Sequence, residues 1–359
     1  MSHGEEPGQG HTGKKRKAGF LVSALLVLVL LGVGVLAGGF FYSQYRLTTD
    51  GPVTSDGEPR IVTIPRGATV ARMANELESI GAIDDEMQFR LAARYLKATT
   101  SMKAGEYAIP SGASLKEIVQ ILSDGKSILH PITIPEGLTT QMVLSIIASN
   151  DVLTGEMPDQ LPAEGALLPD TYLVHRGETR QDVINRMQAA SRDVLDAAWE
   201  TRQKGLPLES KQEALILASI VEKETALAEE RPRIAAVFIN RLRFPMRLQT
   251  DPTIIYGVCK LHPERCSNGR LVDDAGNQRG IRQSEIAMDT GYNTYRIDGL
   301  PPTPICNPGR EAIRAVLDPP QTKEYYFVAD GTGGHVFANS HAEHLRNVAN
   351  WRRIERNRK

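Results

Sequence analysis

The spacing of apolar and polar positions changes three times along the chain. From Ala18 to Tyr45 no charged residue occurs, a run long enough to cross a bilayer as a helix. Beyond residue 60, short β-rich runs alternate with amphipathic stretches. Val70, Met73, Ala74, Leu77 and Ile80 recur at helical spacing and predict a helix over Val70–Ile80. The third regime is Ala214–Thr225, Ala-Leu-Ile-Leu-Ala-Ser-Ile-Val-Glu-Lys-Glu-Thr, in which seven of the first eight residues are apolar and neither Gly nor Pro intervenes. A helix apolar on every side belongs inside a domain.

The flanks of the first run decide its reading. Lys14-Lys15-Arg16-Lys17 precedes it, and Phe40, Phe41, Tyr42 and Tyr45 stand where an interfacial aromatic belt would lie. Basic residues ahead of a span hold that end in the cytoplasm. A cleaved signal peptide is the competing reading, but the run is about twice the length of a signal core, and Gly38-Gly39-Phe40 is a poor cleavage site. The expectation is a cytoplasmic tail over 1–17, one transmembrane helix over 18–42 and a linker over 43–60. The rest of the chain then lies outside the cytoplasm, on the periplasmic side of the cell inner membrane.

An internal repeat follows. Val62-Thr-Ile-Pro-Arg-Gly-Ala-Thr matches Ile132-Thr-Ile-Pro-Glu-Gly-Leu-Thr. Each copy reads as a strand, a Pro-x-Gly turn, a capping Thr and a helix, the second helix over Gln141–Ala148. Between the copies the pattern predicts a helix over Asp84–Leu96, a strand around Glu106–Ile109 and a helix from Ser114 to Leu122. Residues 61–155 thus read as a small α+β module. Its strand, Pro-Gly turn and helix resemble the LysM modules that hold amino-sugar chains; a plain spacer is the other reading.

Residues 156–359 read as a second, mixed α+β domain. A strand follows Gly165-Ala-Leu-Leu-Pro-Asp, and helices are predicted over Arg180–Arg202 and Pro232–Leu242 on either side of the apolar one. Tyr325–His335 has the pattern of a β-hairpin, with His335 as a satisfied turn residue, and His341-Ala-Glu-His344 lies on a polar C-terminal helix.

The apolar helix runs straight into two acids. Glu222 continues the stripe of Leu215, Ala218 and Ser219, and Glu224 that of Leu217 and Ile220. A carboxylate on a buried stripe loses hydration and its pKa rises, which suits it to give a proton to a leaving oxygen. The competing reading is an acid that reaches the surface or pairs with an Arg. Three later stretches are dense in hydrogen-bonding groups beside Pro and Gly: Met246–Gly257, Tyr292–Tyr295 and Gly299–Gly309. In them Gln249, Asn293 and Asn307 offer amides, Tyr256, Tyr292 and Tyr295 offer flat faces for sugar rings, and Asp251 is a further carboxylate. Singly, Asp251 reads as a helix cap and Asn307 as a turn former.

Composition narrows the rest. The 359 residues carry a net charge of −1, which gives no overall basic field for nucleic acid. There is no His-Glu-x-x-His, no Gly-x-Ser-x-Gly and no phosphate loop, so neither a metal nor a cofactor is expected. Cys259 and Cys266 either close a small disulfide loop or stay reduced, with Cys306 left over.

Taken together, Leu217-Ala-Ser-Ile-Val-Glu-Lys-Glu-Thr, Val237-Phe-Ile-Asn-Arg-Leu, Leu248-Gln-Thr-Asp-Pro-Thr-Ile-Ile-Tyr-Gly, Tyr292-Asn-Thr-Tyr and Gly299-Leu-Pro-Pro resemble the endolytic murein transglycosylases of the YceG-like family. The resemblance covers nearly the whole chain. It implies cleavage within peptidoglycan glycan strands, between N-acetylmuramic acid and N-acetylglucosamine, leaving a 1,6-anhydro end. The family's catalytic Glu falls on Glu222, with Ser219 and Glu224 as supporting residues. Peptidoglycan synthases are the expected protein partners. Two departures stand out: the insert Cys259–Gly280 is long, and Gly165-Ala-Leu-Leu-Pro stands where an aromatic is commoner. Two other readings remain, a hydrolytic muramidase with Asp251 or Glu224 as second carboxylate, and a non-catalytic glycan-binding scaffold.

Overall fold

The computed structural model describes Met1 and residues 13–358; the polar stretch 2–12 of the expected tail lies outside the described residues. The fold is mixed α+β with one N-terminal apolar helix. That helix, α1 (Gly13–Thr48), contains a stretch, Leu25–Thr48, long and apolar enough to cross a membrane. It runs on past residue 42 to Thr48 because its last turn finds partners: Leu47 is buried, and Arg46 donates to Gln88.

The chain divides into compact units of residues 1–128 and 129–359. In the first, β1 (Arg60–Ile64) is followed by α2 (Val70–Ser79), α3 (Glu86–Tyr95), β2 (Gly105–Ile109) and α4 (Leu115–Asp124). β1 and β2 pair antiparallel with Val62 opposite Tyr107. Thr69 caps α2 by accepting the Arg72 N–H, and Ser114 with Glu117 forms a capping box on α4. Val62, Ile64, Leu77, Phe89, Tyr107, Ile118 and Leu122 make the core of this unit.

The second unit opens with the same device. β3 (Leu129–Thr133) leads through Pro135-Glu136-Gly137 to α5 (Thr140–Ala148), capped by Thr139. It pairs antiparallel with β4 (Thr171–His175), and α6 (Arg180–Glu200) covers the pair. The second repeat copy therefore takes its partner strand from beyond residue 155. A separate core forms from Ile132, Val143, Ile147, Val174, Ile184 and Met187.

α7 (Lys211–Glu224) is the centre of this unit. Ser210 caps it, and every residue from Ala214 to Glu222 is buried. Leu217, Ala218, Ile220 and Val221 pack against Ile234, Val237 and Phe238 of α8 (Arg231–Arg243) and Ile313 and Val316 of α11 (Arg310–Leu317). Between these helices come α9 (Asp251–Leu261), the two-residue strands β5 (Cys266–Ser267) and β6 (Arg270–Leu271), and the short α10 (Gln283–Ile286). Asp251 sits in the first turn of α9 rather than at its cap, which is Thr250, and Pro252 follows where a missing N–H costs nothing. Cys259 and Cys266 are joined as a disulfide, and Cys306 is free and buried. The hairpin of β7 (Tyr326–Ala329) and β8 (His335–Ala338) precedes α12 (His341–Arg358).

The packing around α7 makes a direct prediction. Truncation of Leu217, which is fully buried, leaves a cavity among three helices. A Leu217→Ala variant should lose about 3 kcal/mol of stability, read as a lowered urea midpoint for the full chain in detergent.

Candidate active site

Glu222 closes the last turn of α7 and is 8% exposed. One carboxylate oxygen accepts the backbone N–H of Gly309 at 2.9 Å, and the other accepts Arg231 Nη2 at 3.1 Å. The same Nη2 donates to Glu136 at 2.9 Å, while the buried Nε of Arg231 has no hydrogen-bond partner. Burial pushes the Glu222 carboxyl above the ordinary glutamate range. The Gly309 N–H opposes that rise, the negative charge of Glu136 adds to it, and Arg231 and Lys223 work against it.

The parts of this arrangement come from distant loops tied together by buried polar groups. Ser219 Oγ donates to Ile216 O at 2.7 Å and accepts the Ile305 N–H at 3.0 Å, and the Ser219 carbonyl accepts the Cys306 thiol. Asn307 donates to Leu138 O at 3.0 Å and to Thr140 Oγ1 at 3.2 Å, and accepts the Leu167 N–H at 2.9 Å. Backbone bonds between Gly137 and Asn307, and between Asn307 and Leu138, finish the join. Gly137 has φ +75°, and a Cβ there would stand 3.7 Å from Glu222 Cγ. At Gly309 a Cβ would collide with the Glu136 carboxylate, so that glycine leaves space for the acid, whereas Gly137 is required by its backbone conformation.

Beside Glu222, which does not itself line it, opens a cleft of about 1150 Å³ that its neighbours Gly137 and Lys223 line. Glu136, Lys223, Glu164 and Ile305 line the end nearest the carboxylate, α5 gives one wall, and α9 with the disulfide-closed insert gives the other. Tyr256 is the one residue of the sequence-derived binding set that lines it. Its hydroxyl donates to Glu164 at 3.2 Å, and its ring meets Tyr292 edge-on at 5.0 Å. Glu164 also accepts the Thr140 N–H at 2.7 Å, and burial raises its pKa.

The remaining sequence-derived residues are placed elsewhere. Asn293 is fully buried and spends its amide on Ile286 O, Met288 O and the Tyr295 N–H. Asn307 is equally committed, so both amides hold backbone in place. Gln249 is exposed with φ +48°, and Asp251 accepts the Tyr295 hydroxyl at 2.8 Å; neither lines the cleft. Glu224 leaves α7 on the other side from Glu222 and accepts the Thr250 hydroxyl. It keeps some solvent contact yet is densely surrounded by protein, and burial carries its pKa up to about 7, with the Thr250 bond opposing and Asp251 adding to the rise. His335 is a satisfied hairpin residue, its Nδ1 2.7 Å from Glu230. No cluster suited to hold a metal occurs among the described residues.

Comparison with known proteins identifies the family. The YceG-like family matches residues 62–350, most of the chain. The chain belongs to the YceG-like family. Relatives from two strains of Streptococcus pneumoniae, each named endolytic murein transglycosylase, are 31% identical over 92% of this chain. This chain spans 64% of their length. A Bacillus subtilis protein of the same name is 29% identical, covering 86% of this chain and 89% of its own. A crystal structure of a yceG-like protein from Listeria monocytogenes aligns over 81% of this chain and 99% of its own, at 27% identity and a TM-score of 0.45. The matched span of this YceG-like chain contains Glu222, Arg231, Glu136 and Gly309 together.

The raised pKa of Glu224 has a signed consequence. Between the ordinary glutamate value and about 7 the folded chain holds a proton that the unfolded chain has lost, so stability falls as pH rises through that window. A Glu224→Gln variant keeps an acceptor for Thr250 and removes the titration. Its stability should vary less than the parent's from pH 5 to 8 and exceed it at pH 8, measured by denaturant unfolding at each pH.

Proposed function

We propose that this chain is a membrane-anchored endolytic lytic transglycosylase of peptidoglycan. Glu222 is its single catalytic carboxyl, and the observation that carries this reading is a desolvated acid held at the margin of a large cleft. Burial raises the Glu222 pKa and so favours its acid form. Glu222 gives its proton to the glycosidic oxygen as the bond from C1 of N-acetylmuramic acid to that oxygen breaks. The 6-hydroxyl of the same sugar attacks C1, and its proton passes to the carboxylate, which restores the acid. No water is consumed, and the product carries a 1,6-anhydro ring. A tethered nucleophile has a large effective molarity, so the second carboxylate that a hydrolytic glycosidase needs is dispensed with.

In this reading Glu136 and Arg231 set the acid's strength. The extent of the cleft suits a strand interior, and Tyr256 offers an aromatic edge to a sugar. The α1 helix anchors the chain with its N-terminus in the cytoplasm and the folded units in the periplasm, beside nascent strands and the synthases that make them. The LysM-like part, from residue 61 to the end of the first unit, holds glycan, and the second unit, residues 129–359, carries the chemistry. The comparisons support this reading through the names of the relatives.

The full chain acting on intact peptidoglycan should release products with anhydro ends, identified by mass spectrometry. Glu222→Gln should fold normally and lose about 100-fold or more of that activity. Reducing ends in place of anhydro ends would make the enzyme a muramidase, and unchanged activity in the variant would remove Glu222 from the chemistry. The electrostatics add a second prediction. Glu136→Gln takes away a charge that raises the Glu222 pKa. Activity that needs the protonated acid disappears as pH rises through that pKa, so the basic limb of the kcat/KM–pH profile should move to lower pH in this variant.

A further inference from the structure

The cleft carries two cations for which the proposed chemistry has no use. Lys260, at the end of α9, and Arg270, at the start of β6, both line it and both are exposed. Elsewhere in the same unit arginines are matched to acids: Arg231 to Glu222 and Glu136, Arg279 to Glu285, and Arg247 to Asp298. Lys260 and Arg270 have no carboxylate partner among the described residues. Lys260 Nζ donates to the Tyr292 hydroxyl at 3.0 Å, with the ring centroid 5.0 Å away, and Arg270 Nη1 donates to Gln278 at 2.8 Å. Each is oriented by a neutral group that leaves its charge uncompensated.

The segment bearing them is built to stay in place. The Cys259–Cys266 disulfide ties the insert to α9, and both half-cystines line the cleft. Beyond it Ser267 and Arg270 pair across a tight turn in which Asn268 and Gly269 both have positive φ. The tip of that turn lies against Met142 of α5, where a Cβ on Gly269 would be 3.5 Å from the sulfur. The cationic lip thus reaches from the α9 wall to the α5 wall of the cleft that Glu136 and Lys223 line near Glu222.

We propose that Lys260 and Arg270 form an anion subsite that takes the free carboxylates of the peptide stems on peptidoglycan, so that the insert selects stem-bearing strands. The inference deepens the transglycosylase reading and rests on it for the identity of the ligand. A guanidinium and an ammonium on one rigid lip suit carboxylates carried on a flexible branch. A sugar chain itself, neutral along its backbone apart from the lactyl groups, makes little use of them.

The test uses binding, so that it does not depend on cleavage. The full chain carrying Glu222→Gln is titrated in detergent with a soluble four-sugar glycan fragment bearing stems with free carboxylates. A second titration uses the same fragment with those carboxylates converted to carboxamides. The free acid should bind roughly tenfold or more tightly, with the difference shrinking at high salt. Lys260→Gln with Arg270→Gln should abolish the difference while leaving the affinity for the carboxamide fragment unchanged, and Arg270→Gln alone, on the exposed hairpin, should remove part of it. Equal affinity of the parent for both fragments overturns the proposal, as does a double variant that still discriminates. Capture of the fragment through its sugars alone would show as equal binding of the two and counts against it. Chains with an intact Glu222 that bind the acidic fragment and leave it uncut would overturn the transglycosylase reading and leave the subsite standing.

Discussion

Everything in the second unit depends on an acid kept out of water. Glu222 is the last buried residue of a helix whose stretch from Ala214 to Val221 is apolar but for Ser219, and the fold gives its carboxylate one backbone N–H and one shared guanidinium. A buried carboxylate without partners would be costly, and one fully paired to its own Arg would be a strong anion and a poor acid. The structure sits between these limits because Arg231 divides itself between Glu222 and Glu136. Desolvation then outweighs the pairing, and the pKa moves up.

That balance explains why so much buried polar machinery surrounds α7. Ser219, Asn307 and the backbone of Gly137 and Leu138 join the turn after β3 to the loop before α11. Their bonds fix the Gly309 N–H and the Glu136 side chain against Glu222. The Pro-x-Gly turn, which in the first unit joins a strand to a helix, places an acid beside the candidate chemistry in the second. One local motif thus serves two ends, and the difference between Arg66 and Glu136 within it is a difference of charge.

The elements were largely legible in the sequence because their periodicities and caps are local: Thr69, Ser114 and Thr139 cap the helices that the pattern predicts. Glu222 was legible for the same reason, as the continuation of a buried stripe. The residues that tune it were not, since Glu136, Arg231 and Gly309 meet only through tertiary contacts. The charge change between Pro65-Arg66-Gly67 and Pro135-Glu136-Gly137 was the one available signal for Glu136. Glu164 gave none. Polar richness beside Pro and Gly pointed to Asn293 and Asn307 as ligand-facing, yet buried loops also need amides to satisfy their backbone, and that need absorbs both. Asp251 before Pro252 offered a helix start, but the cap is Thr250, and the extent of α9 shows only once Ile254 and Val258 share one buried face.

The most direct test of this account is the protonation of Glu222 itself. Infrared difference spectra between the full chain and its Glu222→Gln variant, collected across pH, isolate the carbonyl band of that one carboxylic acid. The account predicts a protonated band that persists above the range of ordinary glutamates, since burial is the main cause of the raised pKa. A Glu222 band that vanishes within the ordinary carboxylate range would contradict it.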